Sequence, residues 1–180
     1  GKTTLAYHLS HMFARLGKST LAVDLDPQAN LTAQFFDEET LEELWAEGGA
    51  NVLTSLSPIL AGLGDIAAPQ PINYATNNGP DSLSVLAGHL GLSRFEDKLS
   101  ESWPKCLNND EAALRATSAF HRLIRTAGEG LNADIAIIDV GPNLGAINRA
   151  ALLAAEFLLI PLAADLFSLQ GLKNLGPTVQ

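Results

Sequence analysis

The order of segments along the chain is the feature that most constrains its fold. Residues 3–16 carry apolar side chains every three or four positions, and residues 19–24 follow as a short, mostly apolar run that ends in aspartate. The same order returns where a helical stripe within residues 111–127 precedes the apolar run 135–139, which also ends in aspartate. The first spacing predicts a helix, and a short apolar run predicts a strand buried on both faces. Their alternation predicts an α/β fold of three layers, in which a mostly parallel sheet carries helices on both faces.

Other segments extend this pattern. Two more apolar runs, residues 83–87 and 157–161, are predicted to be buried strands. Helices are expected over residues 38–45, 51–60 and 146–155, and Gly128 is expected to end the helix that starts after residues 109–111. Residues 69–81 are rich in Pro, Asn and Gly, which predicts an exposed loop.

Composition limits the class of protein. Hydrophobic residues make up 47% of the 180 residues and charged ones 17%, which predicts one packed domain over residues 1–180. The single cysteine, Cys106, excludes an internal disulfide framework and favours the cytoplasm. The net charge of −9 requires any contact with nucleic acid to be local or to lie outside this chain. No membrane association is expected, because Glu156 and Pro161 interrupt the apolar stretch at residues 150–164.

The first four residues, Gly1-Lys-Thr-Thr4, are typical of the second half of a phosphate-binding loop. In such a loop the lysine carries positive charge to the β- and γ-phosphates, and the first threonine binds magnesium. The helix that follows offers free backbone N–H groups. Four residues also match by chance in many proteins, and Lys2 is then a surface side chain before a helix. The acidic residues further along the chain favour the phosphate-binding interpretation.

Three aspartates follow the predicted strands where a metal bound to phosphates needs carboxylates. Asp24 and Asp26 lie two residues apart at the end of one strand, and Asp139 ends another. Because open α/β sheets bind ligands at the carboxyl ends of their strands, we expect these side chains near the motif. Magnesium takes one or two carboxylates and a loop hydroxyl, which Asp139 and Thr3 would supply. Each aspartate alone could cap a turn, but three in this order favour a site for nucleotide and metal.

Three stretches together resemble the ParA/Soj partitioning ATPases, the members of the MinD/ParA superfamily with a deviant Walker A motif. The stretches are Gly1-Lys-Thr-Thr4, Val23-Asp-Leu-Asp-Pro-Gln-Ala-Asn-Leu-Thr32 and Ile137-Ile-Asp-Val-Gly-Pro-Asn-Leu-Gly145. The resemblance is strongest over residues 1–35 and 130–175 and weak over residues 37–110. It implies a P-loop NTPase domain that uses ATP and Mg²⁺ and that is truncated at both ends, without its first strand.

The resemblance also implies a role for each matching residue. Lys2 and Asp26 would be catalytic, with Lys2 on the phosphates and Asp26 positioning the attacking water. Thr3 would bind Mg²⁺ directly and Asp139 would bind it through a water molecule. Asp24 would lie behind these ligands without touching the metal. The residues implied in nucleotide binding are Gly1, Lys2, Thr3, Thr4, Asp24, Gln28, Asn30, Asp139 and Pro142. Gln28 and Asn30 would belong to a first switch segment, and residues 141–145 to a second.

Parts of the family pattern are absent from this sequence. The full motif reads Lys-Gly-Gly-x-Gly-Lys-Thr, and its first lysine, its glycines and the strand before them are missing, so the chain as given is expected to bind ATP poorly and to be inactive. The adenine contacts and the basic residues that grip DNA come from the family's C-terminal part, which is also missing. Asp165, Ser168 and Gly171 are expected to face a partner subunit. Val140 and Gly141 replace the residues common after the Walker B acid, which implies a second switch that moves differently.

The function implied by this resemblance is an ATP-driven switch in plasmid or chromosome partitioning. ATP would join two subunits into a homodimer, which would bind DNA nonspecifically. Slow hydrolysis, stimulated by a DNA-bound adaptor of the ParB type, would release the DNA. Such a protein is expected in the cytoplasm on the nucleoid. Two alternatives remain: a regulatory module gated by nucleotide with negligible turnover, and a relative that positions membrane or protein cargo through a basic amphipathic helix.

Overall fold

Helices and short strands alternate in the computed structural model, which describes residues 1–74, 82–143 and 145–161. The strands are β1 (Thr20–Asp24), β2 (Ile72–Asn73), β3 (Leu83–Leu86) and β4 (Ile135–Asp139). The α-helices are α1 (Lys2–Arg15), α2 (Asn30–Phe35), α3 (Glu38–Trp45), α4 (Val52–Leu60), α5 (Ser93–Ser102), α6 (Glu111–Thr117), α7 (Ala119–Leu131) and α8 (Ala146–Leu153). Two 3₁₀ helices cover Leu90–Leu92 and Trp103–Asn108. None of the helices in these ranges is long and apolar enough to cross a membrane.

The four strands form one sheet in the order β2-β3-β1-β4. β1 is parallel to both of its neighbours, and the short β2 pairs antiparallel with β3 at one edge. The mostly parallel sheet with its surrounding helices confirms the predicted fold class. The register places Asp24 of β1 opposite Asp139 of β4, so the carboxyl ends of these two strands lie side by side.

Helices cover both faces of the sheet because the strand side chains alternate between two cores. Leu21 and Val23 of β1 belong to the larger core, together with apolar residues of α4, α5, α6, α7 and α8. Ala22 belongs to the smaller core, with residues of α1, α2 and β3. All five residues of β1 are buried, whereas in β4 only Asp139 is fully buried. Among the described residues, β4 is paired on one side only.

Polar side chains fix the starts of three helices at the predicted positions. The side chains of Asp37, Asn51 and Asp110 each accept a hydrogen bond from the backbone N–H three residues further on. Each bond satisfies one of the N–H groups that the first turn of a helix leaves without a partner. These caps explain why α3, α4 and α6 each begin at the residue that follows.

The predicted single helix within residues 111–127 is wrong in two respects. The chain forms two helices, α6 and α7, separated at Ser118, where φ is −93° and ψ is 5°. The hydroxyls of Thr117 and Ser118 donate to carbonyl oxygens of α6, and such local bonds compete with a continuous helix. Gly128 does not end the helix either: α7 continues past it, and Asn132 takes the left-handed conformation with φ 50°.

Two further predictions need correction. Residues 157–161 form no strand, and the side chain of Phe157 is 90% exposed. No strand among the described residues pairs with this segment, and an unpaired extended segment has no ladder of hydrogen bonds to join. The loop predicted at residues 69–81 contains β2, while its residues 75–81 lie outside the described part of the chain.

Candidate functional site

Three carboxylates meet at the carboxyl edge of β1 and β4, beside the start of α1. Asp24 and Asp139 are register partners, and the backbone N–H of Leu25 donates to the carbonyl oxygen of Asp139 at 2.9 Å. Asp26 follows two residues after Asp24; burial raises the pKa of Asp139, and the charge of Asp26 raises it further. The ammonium of Lys2 donates to the carbonyl oxygen of Val140 at 3.3 Å. The residues that the sequence singled out at opposite ends of the chain therefore lie together.

Asp24 is fully buried and its carboxylate is well supplied with donors. Oδ2 accepts from the backbone N–H of Thr32 at 2.8 Å and from the Thr32 hydroxyl at 2.7 Å. Oδ1 accepts from the backbone N–H of Asp26 at 3.1 Å. Burial raises the pKa of Asp24 to about 6, although the donors from Thr32 and Asp26 oppose the shift and Asp139 adds to it. The Asp24 carboxylate thus connects the end of β1 to α2 through hydrogen bonds donated by other groups of the protein.

The Thr32 hydroxyl links this carboxylate to a third segment of the chain. It accepts a hydrogen bond from the backbone N–H of Gly88, just after β3, at 2.8 Å. A Cβ atom at position 88 would lie 2.8 Å from Cγ of Asp24 and 3.0 Å from its carbonyl oxygen. Glycine is therefore required here because the backbone passes directly over the Asp24 side chain.

Asp26 lies at the start of the segment between β1 and α2 and is 7% exposed. Its Oδ1 accepts from the backbone N–H of Gln28 at 3.0 Å, and its carbonyl oxygen accepts from the N–H of Ala29 at 2.8 Å. Gly141 also passes near this carboxylate, since a Cβ atom there would lie 3.4 Å from Oδ1 of Asp26. Asp26 is therefore held by the segment after β1 and lies close to the segment after β4.

Asp139 differs from Asp24 because its buried Oδ2 has no hydrogen-bond partner among the described residues. Burial raises the pKa of this carboxyl, the nearby Thr3 hydroxyl lowers it, Asp26 raises it and the Lys2 ammonium lowers it, with a net shift upward. A buried carboxylate oxygen without a donor is costly unless a ligand supplies a partner. This oxygen, beside a hydroxyl and an ammonium, fits a hydrated cation.

Most of the other predicted site residues are exposed to solvent. Gly1, Thr4, Gln28, Asn30 and Pro142 are exposed, and Thr3 is half-buried. Of the predicted set, the structure thus brings together Lys2, Thr3, Asp24, Asp26 and Asp139. Residues 165, 168 and 171, predicted at a subunit contact, lie outside the described residues.

The described residues contain no group of three His, Cys, Asp or Glu side chains that could hold a metal ion on their own. This arrangement suits magnesium bound to phosphates, which keeps several waters and takes one or two carboxylates from the protein. Thr3 and Asp139 offer a hydroxyl and a carboxylate oxygen of that kind. The residues present therefore fit a magnesium–nucleotide complex.

Sequence reasoning missed four residues that shape the site: Thr32, Gly88, Glu96 and Asn148. The Asn148 amide donates to the carbonyl oxygens of Gly141, at 2.8 Å, and of Asn143. Glu96 accepts from backbone N–H groups at the start of α8. Thr32 is the last residue of the second matching stretch, for which the resemblance implied no role at this position. The other three residues belong to no recognisable motif.

Comparison with known proteins gives the family of this chain. All of residues 1–180 match the family model described as an AAA domain. The chain is 29% identical over 180 residues to the chromosome-partitioning ATPase Soj of Thermus thermophilus, an alignment that covers 100% of this chain and 57% of Soj. The chain belongs to the ParA/Soj family of partitioning ATPases. This membership confirms the resemblance on which the sequence analysis relied.

Solved structures show the same architecture. A protein from Corynebacterium diphtheriae is 32% identical, with a TM-score of 0.85 over 98% of this chain and 60% of that protein. ParA of pNOB8, solved bound to nonspecific DNA, is 19% identical, with a TM-score of 0.69 over 97% of this chain and 54% of that ParA. The second likeness shows a shared fold.

This chain is shorter than the family members it matches. It spans 57–61% of the length of three curated relatives. The activity and partners of the whole protein are therefore a matter for the proposal that follows.

Proposed function

We propose that this chain is the nucleotide-binding part of an ATP-driven partitioning switch. In the complete protein, ATP joins two subunits into a homodimer that binds DNA nonspecifically, and slow hydrolysis, stimulated by a ParB-type adaptor, ends that state. The observation that carries the proposal is the buried, unpartnered Oδ2 of Asp139 beside Lys2, Thr3 and Asp26. Membership of a family of partitioning ATPases supports it.

In phosphoryl transfer, some of these residues would stabilise charge and others would position the reacting groups. Lys2 would carry positive charge to the phosphates, and Thr3 with Asp139 would hold Mg²⁺, Asp139 through a water molecule. When bound, the metal would neutralise charge on the β- and γ-phosphates. Asp24 would lie behind the metal ligands without touching the metal, because its carboxylate already accepts hydrogen bonds from Thr32 and Asp26.

Asp26 would orient the water that attacks the γ-phosphate. The backbone N–H of Gln28 donates to Oδ1 of its carboxylate, and the backbone at Gly141 passes nearby, where an added Cβ atom would be in van der Waals contact with that oxygen. A carboxylate held in this way can accept a hydrogen bond from a water molecule and direct the lone pair of its oxygen. Phosphoryl transfer needs little more from the protein than such positioning and charge stabilisation.

Gln28, Asn30 and Pro142 would lie in segments whose conformation depends on the bound nucleotide. Gln28 and Asn30 follow Asp26 in the segment that would form the first switch, while Pro142 follows Asp139 in the second. Loss of the γ-phosphate would release both segments, as in other nucleotide switches. Gly1 and Thr4 would add contacts along the phosphates.

DNA binding is proposed for the complete protein rather than for this chain alone. The net charge of −9 argues against a broad phosphate-binding surface on these residues. The pNOB8 ParA structure with nonspecific DNA supports DNA as the partner in this fold. The protein would then act in the cytoplasm, on the nucleoid.

One experiment on the complete protein tests the proposal. Asp26→Ala should keep ATP-dependent dimerisation but lose ATP turnover, because the substitution removes the water-positioning carboxylate and leaves Lys2, Thr3 and Asp139. Asp97→Ala, which removes an exposed carboxylate of α5, is the matched control and should hydrolyse ATP like the wild type. Unchanged hydrolysis in Asp26→Ala would remove Asp26 from the mechanism.

The same preparations separate the switch from its alternatives. Binding of duplex DNA should be measured with ATP, with ADP and without nucleotide at one stated salt concentration, because phosphate contacts are sensitive to salt. Binding that requires ATP is expected. Absence of binding in every state would refute a DNA-bound switch, and ATP-gated binding without any turnover would favour a regulatory module.

A further inference from the structure

Glu96 makes an unusual contact with the segment that follows the β4 strand. Its Oε1 accepts from the backbone N–H of Ala146 at 2.5 Å, and its Oε2 accepts from that of Ile147 at 2.8 Å. Both donors belong to the first turn of α8, which has no side-chain cap of its own. The carboxylate of α5 therefore supplies both the acceptors and the negative charge that a helix N-terminus favours.

The backbone is shaped to admit this carboxylate. A Cβ atom at Gly145 would lie 2.6 Å from Oε1 of Glu96 and 3.0 Å from its Cδ. Any other residue at position 145 would displace the Glu96 side chain or the start of α8. Glu96 is half-buried, so solvent competes only partly for its oxygens.

A second set of contacts connects α8 to the backbone near Asp26. Asn148, in the first turn of α8, donates through its amide to the carbonyl oxygens of Gly141 and Asn143. The backbone at Gly141 in turn passes beside the carboxylate of Asp26, close enough that an added Cβ atom would lie 3.4 Å from Oδ1. The described contacts thus run from Glu96 through the start of α8 and Asn148 to the backbone beside Asp26.

We propose that Glu96 is a positioning residue for ATP hydrolysis, which acts by holding α8, and through Asn148 the segment at Gly141, in the place that orients Asp26. The inference rests on the proposed function, since it assigns Glu96 to the reaction of that same site. Glu96 touches none of the proposed nucleotide-binding residues directly in the described contacts. Its effect should therefore fall on the rate of the chemical step and leave the affinity for nucleotide unchanged.

Glu96→Gln tests this in the complete protein. The amide keeps the shape of the side chain and can accept from one backbone N–H, but its NH₂ group opposes the other. We expect kcat for ATP hydrolysis to fall about 10- to 100-fold, the range that a misplaced catalytic geometry causes, with KM for ATP within about twofold of the wild type. Asp97→Asn, the same change at the next residue on an exposed side chain, is the control and should leave both parameters unchanged.

A second variant keeps the test independent of simple loss of stability. Asn148→Ala breaks the next contact in the series, so it should lower kcat in the same way. Adding it to Glu96→Gln should produce little further loss, because both changes interrupt one series of contacts. Losses in kcat that simply multiply in the double variant would contradict a shared path.

The outcomes distinguish the inference from the proposed function. If the wild-type protein turns over ATP and Glu96→Gln matches it, or changes KM alone, the positioning role is wrong while the ATPase stands. The variant could also have a lower melting temperature but an unchanged kcat at a temperature where it is folded. Glu96 would then only cap α8 and would have no role in positioning Asp26. If the wild-type protein hydrolyses no ATP, the proposed function fails and this inference fails with it.

Discussion

The hydroxyl of Thr32 offers the sharpest test of how the site is held together. It donates to Oδ2 of Asp24 at 2.7 Å and accepts from the backbone N–H of Gly88 at 2.8 Å, and Thr32 is fully buried. Thr32→Val keeps the branched shape of the side chain but can neither donate nor accept. The variant therefore removes one donor from a buried carboxylate and leaves the N–H of Gly88 without its acceptor.

Both losses should destabilise the folded protein. A hydrogen bond to a charged group contributes roughly 1.5–3 kcal/mol, and a buried N–H left without a partner costs about 1–3 kcal/mol. Because the backbone N–H of Thr32 still donates to Asp24, we expect the free energy of unfolding to fall by about 2–5 kcal/mol. That is a large part of the roughly 5–15 kcal/mol available to a typical protein.

The loss should also depend on pH in a defined direction. The pKa of Asp24 is about 6 in the folded protein, so below pH 6 the carboxyl is mostly protonated and gains less from the Thr32 donor. Above pH 6 the carboxylate is charged and the missing donor costs more. The difference in unfolding free energy between wild type and Thr32→Val should therefore be larger at pH 8 than at pH 5.

Denaturant unfolding of the complete protein at these two pH values measures both effects. Thr54→Val is the matched control, because Thr54 also lies within a helix and only its backbone groups form hydrogen bonds in the described contacts. It should change stability by less than about 0.5 kcal/mol. A loss in Thr32→Val that is equally small, or the same at both pH values, would refute the network as described.

Two further changes probe the same centre. Gly88→Ala would place a Cβ atom 2.8 Å from Cγ of Asp24 and should destabilise the protein by more than about 2 kcal/mol in denaturant unfolding, whereas Gly130→Ala, in α7 with open space around it, should stabilise it by up to about 1 kcal/mol. The raised pKa of Asp24 means that the folded state binds its proton more tightly than the unfolded state does, so this group favours folding at low pH and the benefit is lost between pH 3.8 and about 6. Measured over that range, the stability of wild type relative to Asp24→Asn should fall by about 3 kcal/mol as pH rises, and a flat or rising difference would contradict the shift.

Local sequence patterns predicted the sheet well where one physical rule governs the outcome. β1 and β4 were expected from short apolar runs that end in Asp24 and Asp139, and the structure pairs these two residues in register. The rule holds best for β1, whose five residues are all buried and whose apolar run is followed by an aspartate. β4 has the same sequence pattern, although only Asp139 of its residues is fully buried. The position of the acidic edge followed from the same rule.

The predictions failed where two local preferences compete. The apolar spacing runs across Ser118 without interruption, so periodicity cannot locate the break that the hydroxyls of Thr117 and Ser118 accompany. Gly128 looks like a helix end, yet Asn132 takes the left-handed position instead. Residues 157–161 are apolar enough for a strand, but a strand also needs a neighbour.

The contacts of Glu96 and Gly88 could not be predicted for a different reason. Glu96 lies 50 residues from Ala146, and Gly88 lies 56 residues from Thr32. Such contacts depend on the path of the whole chain, and no local spacing encodes them. A sequence can therefore supply the residues that meet the ligand, while the residues that hold them in place emerge only from the fold.

The two aspartates that end β1 and β4 illustrate how one residue type takes two roles at equivalent positions. Both are buried and both have raised pKa values, yet Asp24 accepts three hydrogen bonds from the protein, while Oδ2 of Asp139 accepts none from the described residues. The first carboxylate has its hydrogen-bond partners within the fold, so its removal should change stability as well as the proposed metal site. The second is incomplete, and an incomplete buried carboxylate lowers stability until a ligand completes it. Binding of magnesium and nucleotide should therefore stabilise the protein through Asp139, because the ligand would supply the partner that this oxygen lacks.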